Sequence, residues 1–294
     1  GPFEMWDDLG LKKVADRMKS ENFVIPEWIQ KMIDSGFSKF YNNIDGTLCY
    51  YDPASNSYLP VVKNEKEFSF SSLKKKDKII KKDWSASLVD LGDGVAGLEF
   101  HSVLKADLNP IDGSIMQSIK SSIDWVESNG YNGLVISGDS TNFSAGANLN
   151  MILNASHRKD WSGIELISKH MQDVLQSVRF SPFPVIAAPF GLVLGGGYEV
   201  IGACDKIVAA AESYIGLVEV GVGLIPGAGG NLRMLRNLSE KIKSPMPGAF
   251  PVVQKVFEVV GFAKVATSAK KAQAYGYLRK SDEIVINRNH ILHR

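Results

Sequence analysis

Two glutamates that lie twenty positions apart are the residues of this chain best suited to acid–base chemistry. Glu199 occurs in the segment GLVLGGGYEVIGAC, and Glu219 occurs in YIGLVEVGVGLIPGAGG. Each lies beside a glycine-rich segment, where the absence of side chains lets backbone N–H groups approach a ligand closely. Carboxylates beside such amides can move protons next to an oxyanion that the amides stabilise. The two glutamates are therefore candidate catalytic residues.

The residues around Glu199 indicate that its carboxylate is partly shielded from water. Glu199 follows a stretch without any charged residue, 180–198, and precedes the apolar run 200–204. Burial of that kind raises the pKa of a carboxyl group toward the range useful for proton transfer. The alternative is a solvated charge at a loop or helix start, which is the commoner environment of a glutamate beside glycines.

The uncharged stretch 180–198 is long enough to raise the question of a transmembrane helix, which needs about 20 predominantly apolar residues. Three prolines and the glycine triplet 195–197 interrupt any continuous helix, so we predict no membrane span. The pattern favours a buried strand over 185–188, a turn, and a helix that begins within 196–199 and runs through Ala203. The first N–H groups of that helix would be free, at the positive end of its dipole.

A second strand-to-helix bend is predicted upstream. Residues 134–137 resemble a buried strand, residues 138–144 a polar loop, and Asn148 the cap of a following helix. The segment FSAGAN at 143–148 is made mainly of small residues with accessible amides. Each bend could supply one N–H group to a single oxyanion. No G-x-S-x-G motif surrounds Ser144, which therefore lacks the setting of a serine nucleophile.

The segments FSAGAN, PVIAAPFGLVLGGGYE and VEVGVGLIPGAGG, in this order, resemble the enoyl-CoA hydratase/isomerase family, the crotonase superfamily. The resemblance covers roughly residues 84–294. It implies an α/β fold with a crotonase-type core, in which short strands form β-β-α turns of a right-handed spiral. The strands expected on this basis are 87–91, 94–101, 134–137, 185–188, 206–210 and 214–216, and the helices are 115–127, 164–178 and 197–203.

The resemblance also implies roles for individual residues. It places the oxyanion hole on the backbone N–H groups of Ala145 and Gly196, and the catalytic acids on Glu199 and Glu219. Family members that only shift a double bond commonly keep one of the two acids, so the presence of both favours hydration. The neighbouring residues expected to contact substrate are Ser144, Gly146, Ala147, Asn148, Gly195 and Gly197.

The reaction implied is hydration of a 2-enoyl-CoA to a 3-hydroxyacyl-CoA in fatty-acid β-oxidation, without a metal or redox cofactor. Glu199 would activate water and Glu219 would protonate C2, although two acids that share one water titrate as a pair and could exchange roles. Two alternatives remain open. One is another CoA-thioester reaction, such as isomerisation or decarboxylation. The other is an inactive module that binds CoA esters or partner domains.

Two departures from the family pattern are visible. The first motif usually ends in Asp, whereas this chain has Asn148, which caps helices equally well. The chain also stops at Arg294, where family members usually continue into helices that close the acyl pocket and build the oligomer. We therefore expect a C-terminally truncated crotonase domain, and a homo-oligomer in the full-length protein.

The residues before the crotonase-like region resemble a different family. GPFEMWDDLG, VIPEWIQKMIDSGFSKFY and YYDPASNSYLP, within residues 1–62, resemble the end of the C-terminal domain of 3-hydroxyacyl-CoA dehydrogenases. Within them an approximately helical apolar stripe over 3–18 and a second helix that opens at Pro26 predict a small all-helical piece. The resemblance implies a bifunctional parent protein. NAD would bind only to the dehydrogenase half, which the chain lacks. Residues 63–83 contain eight lysines and are predicted to be a solvated linker, with docking of an acidic partner as the alternative.

Composition excludes several classes of partner. The chain has 33 basic and 32 acidic residues, which offers no electrostatic basis for binding nucleic acid or a membrane surface. Of its five histidines, His157 and His170 fall on predicted helices without metal-ligand partners at useful spacing, and no metal site is predicted. No secretory signal is visible, and Cys49 and Cys204 fall in different predicted domains. Two reduced thiols and a cytoplasmic location are expected.

Overall fold

The structure, a computed structural model, describes residues 1–45, 47–62, 66–242 and 250–294. The chain divides into two compact units, Gly1–Glu65 and Lys66–Arg294. Each unit has its own core of buried apolar side chains. In the part of the chain that the structure describes, no helix is long and apolar enough to cross a membrane.

The first unit combines three helices with a three-stranded antiparallel sheet. The helices are α1 (Pro2–Leu9), α2 (Leu11–Ser20) and α3 (Glu27–Asp34), and the strands are β1 (Tyr41–Ile44), β2 (Thr47–Asp52) and β3 (Ser57–Pro60), in the order β1-β2-β3. The prediction of an all-helical piece is therefore wrong beyond residue 34. In β2, Cys49 and Tyr51 are buried whereas Leu48 and Tyr50 are exposed, the two-residue alternation of a strand with one face on a core.

The second unit is built on a seven-stranded mixed sheet. Its strands, in spatial order, are β12 (Glu283–Val285), β10 (Lys206–Ala210), β8 (Val185–Ala187), β7 (Gly133–Ser137), β6 (Val95–Phe100), β5 (Ala86–Gly92) and β4 (Ile79–Lys82). The β12-to-β6 neighbours are parallel, and β6, β5 and β4 pair antiparallel. The α/β prediction is confirmed, and the predicted strands of this sheet are present with small shifts at their ends.

Two further strands form a separate, two-stranded parallel sheet. It joins β9 (Leu192–Leu194) to β11 (Tyr214–Gly216). The helices of the second unit are α4 (Phe70–Lys74), α5 (Gly113–Ser128), α6 (Leu149–His157), α7 (Trp161–Arg179), α8 (Gly196–Ala203), α9 (Gly230–Lys241), α10 (Phe250–Val260) and α11 (Ala269–Tyr275). Short 3-10 helices occur at Glu219–Val222 and Arg288–His293. The strands β9 and β11 matter most for function, because α8 and the Glu219 turn follow them directly.

The predicted linker, residues 63–83, requires a correction. Residues 63–65 lie outside the described part of the chain, but residues 66–83 belong to the second unit and contain α4 and β4. Phe70 and Leu73 lie three positions apart on α4, and both are buried against Val89 of β5. The high lysine count concealed this apolar pair, and burial of the pair outweighs the tendency of charged segments to remain solvated.

The ion pair between Lys74 and Glu99 predicts that a substitution within residues 66–83 lowers the free energy of unfolding. Lys74 Nζ lies 2.7 Å from Glu99 Oε2, and the Glu99 side chain is 4% exposed. Because Lys74→Met leaves a buried carboxylate without its partner, we expect a loss of about 2 kcal/mol in the free energy of unfolding. Urea denaturation measures it. Lys75→Met, at the exposed neighbour, is the matched control, and equal stability of the two variants would contradict a structural role for residues 66–83.

One glycine pattern in the second unit matches the dinucleotide-binding motif G-x-G-x-x-G, at residues 92–97. In the structure these residues form the turn between the antiparallel strands β5 and β6 and the start of β6. A dinucleotide fingerprint requires a strand, a turn and a helix within a parallel βαβ unit. The match at 92–97 is therefore a hairpin turn, and it provides no support for a nucleotide site in this chain.

Candidate active site

The candidate site lies around the first residues of α8. Strand β9 delivers the chain to Gly195, whose φ of +49° lies in a region that favours glycine. Gly197 packs against the 143–148 loop, since a methyl group placed on it would lie 2.9 Å from the Ser144 carbonyl oxygen. The glycine triplet thus lets the helix begin in direct contact with the second predicted bend.

Glu199 lies in the first turn of α8 and is buried, with 4% of its surface exposed. Its Oε1 accepts hydrogen bonds from the N–H groups of Ala228 at 2.8 Å and Gly230 at 2.9 Å. Burial raises the pKa of Glu199, and these two hydrogen bonds oppose the increase. The predicted desolvation of Glu199 is confirmed. The hydrogen bonds leave Oε2 as the carboxylate oxygen available to a ligand.

Glu219 begins the 3-10 helix that follows β11. Its Oε2 is buried and has no hydrogen-bond partner among the residues that the structure describes. Burial, chiefly, raises the pKa of Glu219 to about 7, and the nearby charge of Glu199 adds to the increase. A methyl group placed on Gly195 would lie 3.3 Å from Glu219 Oε1. The structure thus brings both glutamates to the N-terminal end of α8.

The raised pKa predicts that Glu219→Gln stabilises the protein at alkaline pH. The Glu219 carboxyl group titrates near pH 7 when folded and near its ordinary pKa of 4.5 when unfolded. Between these values the folded chain retains a proton that the unfolded chain releases, so stability falls as pH rises, and the deficit is complete above pH 7. Allowing for partial exposure, we expect the variant to gain about 1–2 kcal/mol at pH 8 and nothing at pH 4. Urea unfolding at both pH values measures this, and an equal gain at both would contradict it.

The assignment of Ala145 to the oxyanion hole is wrong. The Ala145 N–H donates to the carbonyl oxygen of Leu108 at 2.7 Å and is not available to a ligand. The N–H of Ala147 is better placed, because a methyl group on Gly196 would lie 3.4 Å from the Ala147 nitrogen. No acceptor for the N–H of Ala147 or Gly196 occurs within the described ranges of the chain.

Strand pairing explains why the N–H of Ala147 is free. Ile111 forms a parallel bridge with Ala147, in which the Ile111 N–H donates to Gly146 O and the Asn148 N–H donates to Ile111 O. Successive residues of an extended segment point their backbone groups to opposite sides. The bridge therefore uses the groups on either side of Ala147 and directs its N–H away from Ile111. The sequence contains no local signal of this bridge.

The other predicted contact residues divide into two groups. Ser144 is fully buried, and its Oγ accepts from the Gly146 N–H at 3.1 Å, so burial excludes it from direct substrate contact. Asn148 caps α6 as predicted, since its Oδ1 accepts from the Asn150 N–H. Ala147 and Asn148 line an apolar cavity of about 270 Å³. Gly146, Gly195 and Gly197 shape the backbone around the two free N–H groups.

A model of the enoyl-CoA hydratase/isomerase family matches residues 92–246, more than half of the chain, and this segment contains both glutamates and both free N–H groups. The chain belongs to the enoyl-CoA hydratase/isomerase family. The match ends before α10 and α11, and it begins after residues 1–91, which include the whole first unit. The coarse assignment to CoA-thioester chemistry made from the three motifs is thereby confirmed.

Two curated relatives match this family chain over different lengths. A Bacillus subtilis protein named "Probable 3-hydroxyacyl-CoA dehydrogenase" is 41% identical over 293 residues, which is 100% of this chain and 36% of the relative. Another B. subtilis protein, named "Probable enoyl-CoA hydratase", is 33% identical over 129 residues, 44% of this chain and 49% of the relative. The chain thus spans about a third of the first relative and about half of the second.

Solved structures share the fold of this family chain. The crystal structure of the enoyl-CoA hydratase from Thermoplasma volcanium matches with a TM-score of 0.58 and 24% identity, over 72% of this chain and 75% of that one. At this level of identity the likeness establishes the fold alone. The crotonase-type fold expected from the motifs is confirmed.

In this enoyl-CoA hydratase/isomerase-family chain, two apolar cavities are lined by residues of the candidate site or by their neighbours in the sequence. The 270 Å³ cavity beside Ala147 includes Met171 of α7, which also approaches Gly196. A second cavity, of about 480 Å³, is lined by Val220, which follows Glu219 in the sequence. It is also lined by Leu232, two positions after Gly230, whose N–H donates to Glu199. Its lining is completed by Ile225, Pro226, Asn231, Leu235, Val253, Val256, Phe257, Val260 and Gly261. Apolar walls beside a few convergent polar groups are typical of small-molecule sites.

Proposed function

We propose that this chain catalyses hydration of a 2-enoyl-CoA to a 3-hydroxyacyl-CoA. One observation carries the proposal: two shielded carboxylates, Glu199 and Glu219, meet at the start of α8 next to two backbone N–H groups that have no acceptor among the described residues. Hydration needs a base for water, an acid for carbon and an oxyanion stabiliser between them. These groups supply all three functions.

The two N–H groups would bind the thioester carbonyl oxygen. Ala147 N–H and Gly196 N–H come from different elements, a bridged loop and a helix start, so their spacing is held by both. As water attacks C3, negative charge moves through C2 to the carbonyl oxygen. The donors and the positive end of the α8 dipole stabilise that charge more than they stabilise the neutral ground state, which lowers the barrier.

The carboxylates would divide the proton transfers. Glu199 is hydrogen-bonded through Oε1, which orients Oε2 to accept a proton from water as the oxygen attacks C3. Glu219, with a pKa near 7, holds a proton that it can deliver to C2. The C2–C3 double bond is lost, a C3–O bond and a C2–H bond form, and the proton taken by Glu199 balances the one given by Glu219. The proposal requires no metal and no redox cofactor.

Isomerisation of a 3-enoyl-CoA is the second candidate, since the same oxyanion hole would stabilise the same kind of enolate. It needs only one carboxylate to move a proton between carbons, whereas hydration uses both. Glu199 is buried and Glu219 is half-buried with its Oε2 shielded from water, and this favours hydration, because a second desolvated carboxylate costs free energy and would have no function in isomerisation.

The wider setting is also a proposal. Because a relative named as a 3-hydroxyacyl-CoA dehydrogenase matches the whole chain with 41% identity, we infer that the parent protein also carries that dehydrogenase and acts in fatty-acid β-oxidation. Within it, residues 1–62 would be the end of the dehydrogenase C-terminal domain, and NAD would bind outside this chain. We further propose that the parent is a cytoplasmic homo-oligomer that binds no nucleic acid.

The test is to incubate the chain with crotonyl-CoA and with a 3-enoyl-CoA, and to follow the enoyl thioester absorbance and the product masses. Hydration predicts loss of absorbance and a mass gain of one water with crotonyl-CoA. Conversion of the 3-enoyl-CoA to its 2-enoyl isomer without water uptake would support isomerisation instead. Glu199→Gln is the discriminating variant: loss of hydration with isomerisation retained would support the hydratase. Binding of both esters without turnover, in a folded chain, would favour the inactive module.

A further inference from the structure

A buried tyrosine near the C-terminal end of the second unit contacts the turn that carries Glu219. Tyr277 lies after α11 and outside residues 92–246, and its side chain is fully buried. Its hydroxyl group donates to the carbonyl oxygen of Lys264 at 2.9 Å and accepts from the N–H of Leu217 at 3.1 Å. Leu217 lies two positions before Glu219. One side chain therefore ties the segment after α10 to the backbone that leads into Glu219.

Strand β11, which precedes Glu219, is held on both sides. On one side, Ile215 forms an antiparallel bridge with Ala266, and the N–H of each donates to the carbonyl oxygen of the other. On the other side, the Gly195 N–H donates to the carbonyl oxygen of Gly216 at 2.8 Å. Of residues 217 and 218, only residue 217 hydrogen-bonds another element in the part of the chain that the structure describes, and its partner is the Tyr277 hydroxyl group. The direction of the chain between β11 and Glu219 therefore depends on that hydroxyl group.

A second tyrosine extends the network to the other glutamate. Tyr198 precedes Glu199 on α8 and is fully buried. Its hydroxyl group donates to the carbonyl oxygen of Tyr277 at 3.2 Å, and the two rings contact edge to face with their centroids 4.9 Å apart. The backbone of Tyr277 is also fixed, because its N–H donates to the carbonyl oxygen of Ala272 at 3.0 Å. The Tyr277 hydroxyl group therefore projects from a rigid base, which is what a positioning contact requires.

The Tyr277 hydroxyl group keeps its proton at every pH at which the glutamates titrate. Burial, chiefly, raises the pKa of Tyr277 to about 12, and the charge of Glu219 adds to the increase. Glu199 and Tyr277 are thus the titratable neighbours of Glu219 in this network, and between them only the glutamate changes its charge near neutral pH. A change in the titration of Glu219 on loss of the hydroxyl group would therefore report the position and solvation of Glu219, and not the ionisation of Tyr277.

We propose that Tyr277 is a positioning residue for Glu219, because its hydroxyl group fixes Leu217 and thereby holds the Glu219 carboxyl group in its shielded place beside Gly195. This inference rests on the proposed function, in which Glu219 delivers a proton to C2. A displacement of about 1 Å of a reacting group, caused by a change away from the chemistry, can lower a rate by about 100-fold. Tyr277 takes no part in proton transfer and acts through the backbone before Glu219.

Tyr277→Phe tests the inference, because it removes the hydroxyl oxygen and keeps the ring. We expect kcat for crotonyl-CoA to fall by roughly 10- to 100-fold while KM changes little. The alkaline limb of kcat/KM should also move to lower pH, since a less constrained Glu219 becomes better solvated and its pKa falls toward the ordinary 4.5. Tyr275→Phe, which leaves the Leu217 contact intact, is the matched control and should change neither constant. Lower stability of Tyr277→Phe with an unchanged kcat and an unchanged alkaline limb would overturn the inference.

The contact can also be removed from its other side, which keeps the inference testable if Tyr277→Phe does not fold. An ester at position 217, introduced with the α-hydroxy acid analogue of leucine, lacks the N–H that donates to Tyr277 and keeps the bond from Tyr277 to Lys264. It should reproduce the fall in kcat and the shift of the alkaline limb. Where both changes fold, their combination should be no worse than either alone, because both remove one contact. Additive losses of kcat would overturn the inference.

A titration of the Glu219 carboxyl group separates this inference from the proposed function. Carbon-13 NMR of a chain labelled at its glutamate carboxyl groups follows the signal that Glu219→Gln removes. In the wild type this signal should titrate near pH 7, and in Tyr277→Phe it should titrate at lower pH. If the wild type hydrates no enoyl thioester, the proposed function fails, and this titration alone decides the role of Tyr277. An equal pKa of Glu219 in the wild type and Tyr277→Phe would overturn the inference even with hydratase activity intact.

Discussion

Glu219→Gln is expected to lower kcat for crotonyl-CoA hydration by about 10³-fold, within the usual range for loss of a positioned general acid. Glutamine has nearly the same shape but cannot give a proton to C2. The KM should change little, because the two N–H groups that bind the thioester remain. Steady-state kinetics measures both constants. Glu212→Gln, at an exposed glutamate of the same unit, is the matched control and should leave both unchanged.

The pH profile adds a second readout of the same prediction. Glu219 must be protonated to act as the acid, so kcat/KM should fall as pH rises above about 7, the pKa to which burial raises this group. Glu199 must be ionised, so activity should also fall toward acidic pH. Because the two carboxyl groups interact, the acidic and alkaline limbs of the profile give apparent pKa values that belong to the pair and not to either residue alone. A Glu219→Gln variant that keeps full activity with an unchanged alkaline limb would contradict the assignment of Glu219 as the acid.

Removal of the Ala147 N–H is expected to lower kcat by about 10²- to 10³-fold, the usual cost of losing one oxyanion-hole donor. The clean change replaces the amide N–H with an ester oxygen, by incorporating the α-hydroxy acid analogue of alanine at position 147. Side chain and shape remain, and only the donor is lost. Because the structure records no acceptor for this N–H among the described residues, stability should change little.

The same ester replacement at Ala145 is the matched control, and it is expected to have the opposite profile. Here the lost N–H donates to Leu108 O, so the free energy of unfolding should fall by about 1 kcal/mol while kcat changes little. Single-turnover kinetics and urea denaturation of the two ester proteins distinguish the sites. A large loss of kcat at Ala145 and none at Ala147 would contradict this prediction and support Ala145 as the oxyanion-hole donor.

The glutamate pair could be predicted because its signals are local. An uncharged stretch before Glu199, a glycine triplet and a second glycine-rich segment after Glu219 all lie within a short span of sequence. The structure places these elements as expected, with small shifts at their ends. The donor at Ala147 depends on its bridge to Ile111, a contact between distant parts of the chain that determines which N–H is left free. No periodicity or spacing within FSAGAN carries that information.

Two other errors have a common cause. Residues 41–44, 47–52 and 57–60 form three antiparallel strands of four to six residues, and only β2 alternates between buried and exposed positions. The stronger helical stripe before them favours helix for the whole first unit. Residues 66–83 were assigned to a linker on charge alone, although Phe70 and Leu73 are buried. In both segments a few apolar positions decide the structure, and average composition hides them.

The position of β4 at the end of the seven-stranded sheet gives its lysines a protective function. A terminal strand exposes unpaired backbone groups that can recruit a strand from another molecule, and lysine side chains discourage such recruitment. β4 carries Lys81 and Lys82, whereas its neighbour β5 buries its first four residues. A chain shortened to begin at residue 84 would lose β4 and expose β5 as a bare apolar edge. Such a chain should aggregate, whereas one that begins at residue 66 keeps its guarded edge.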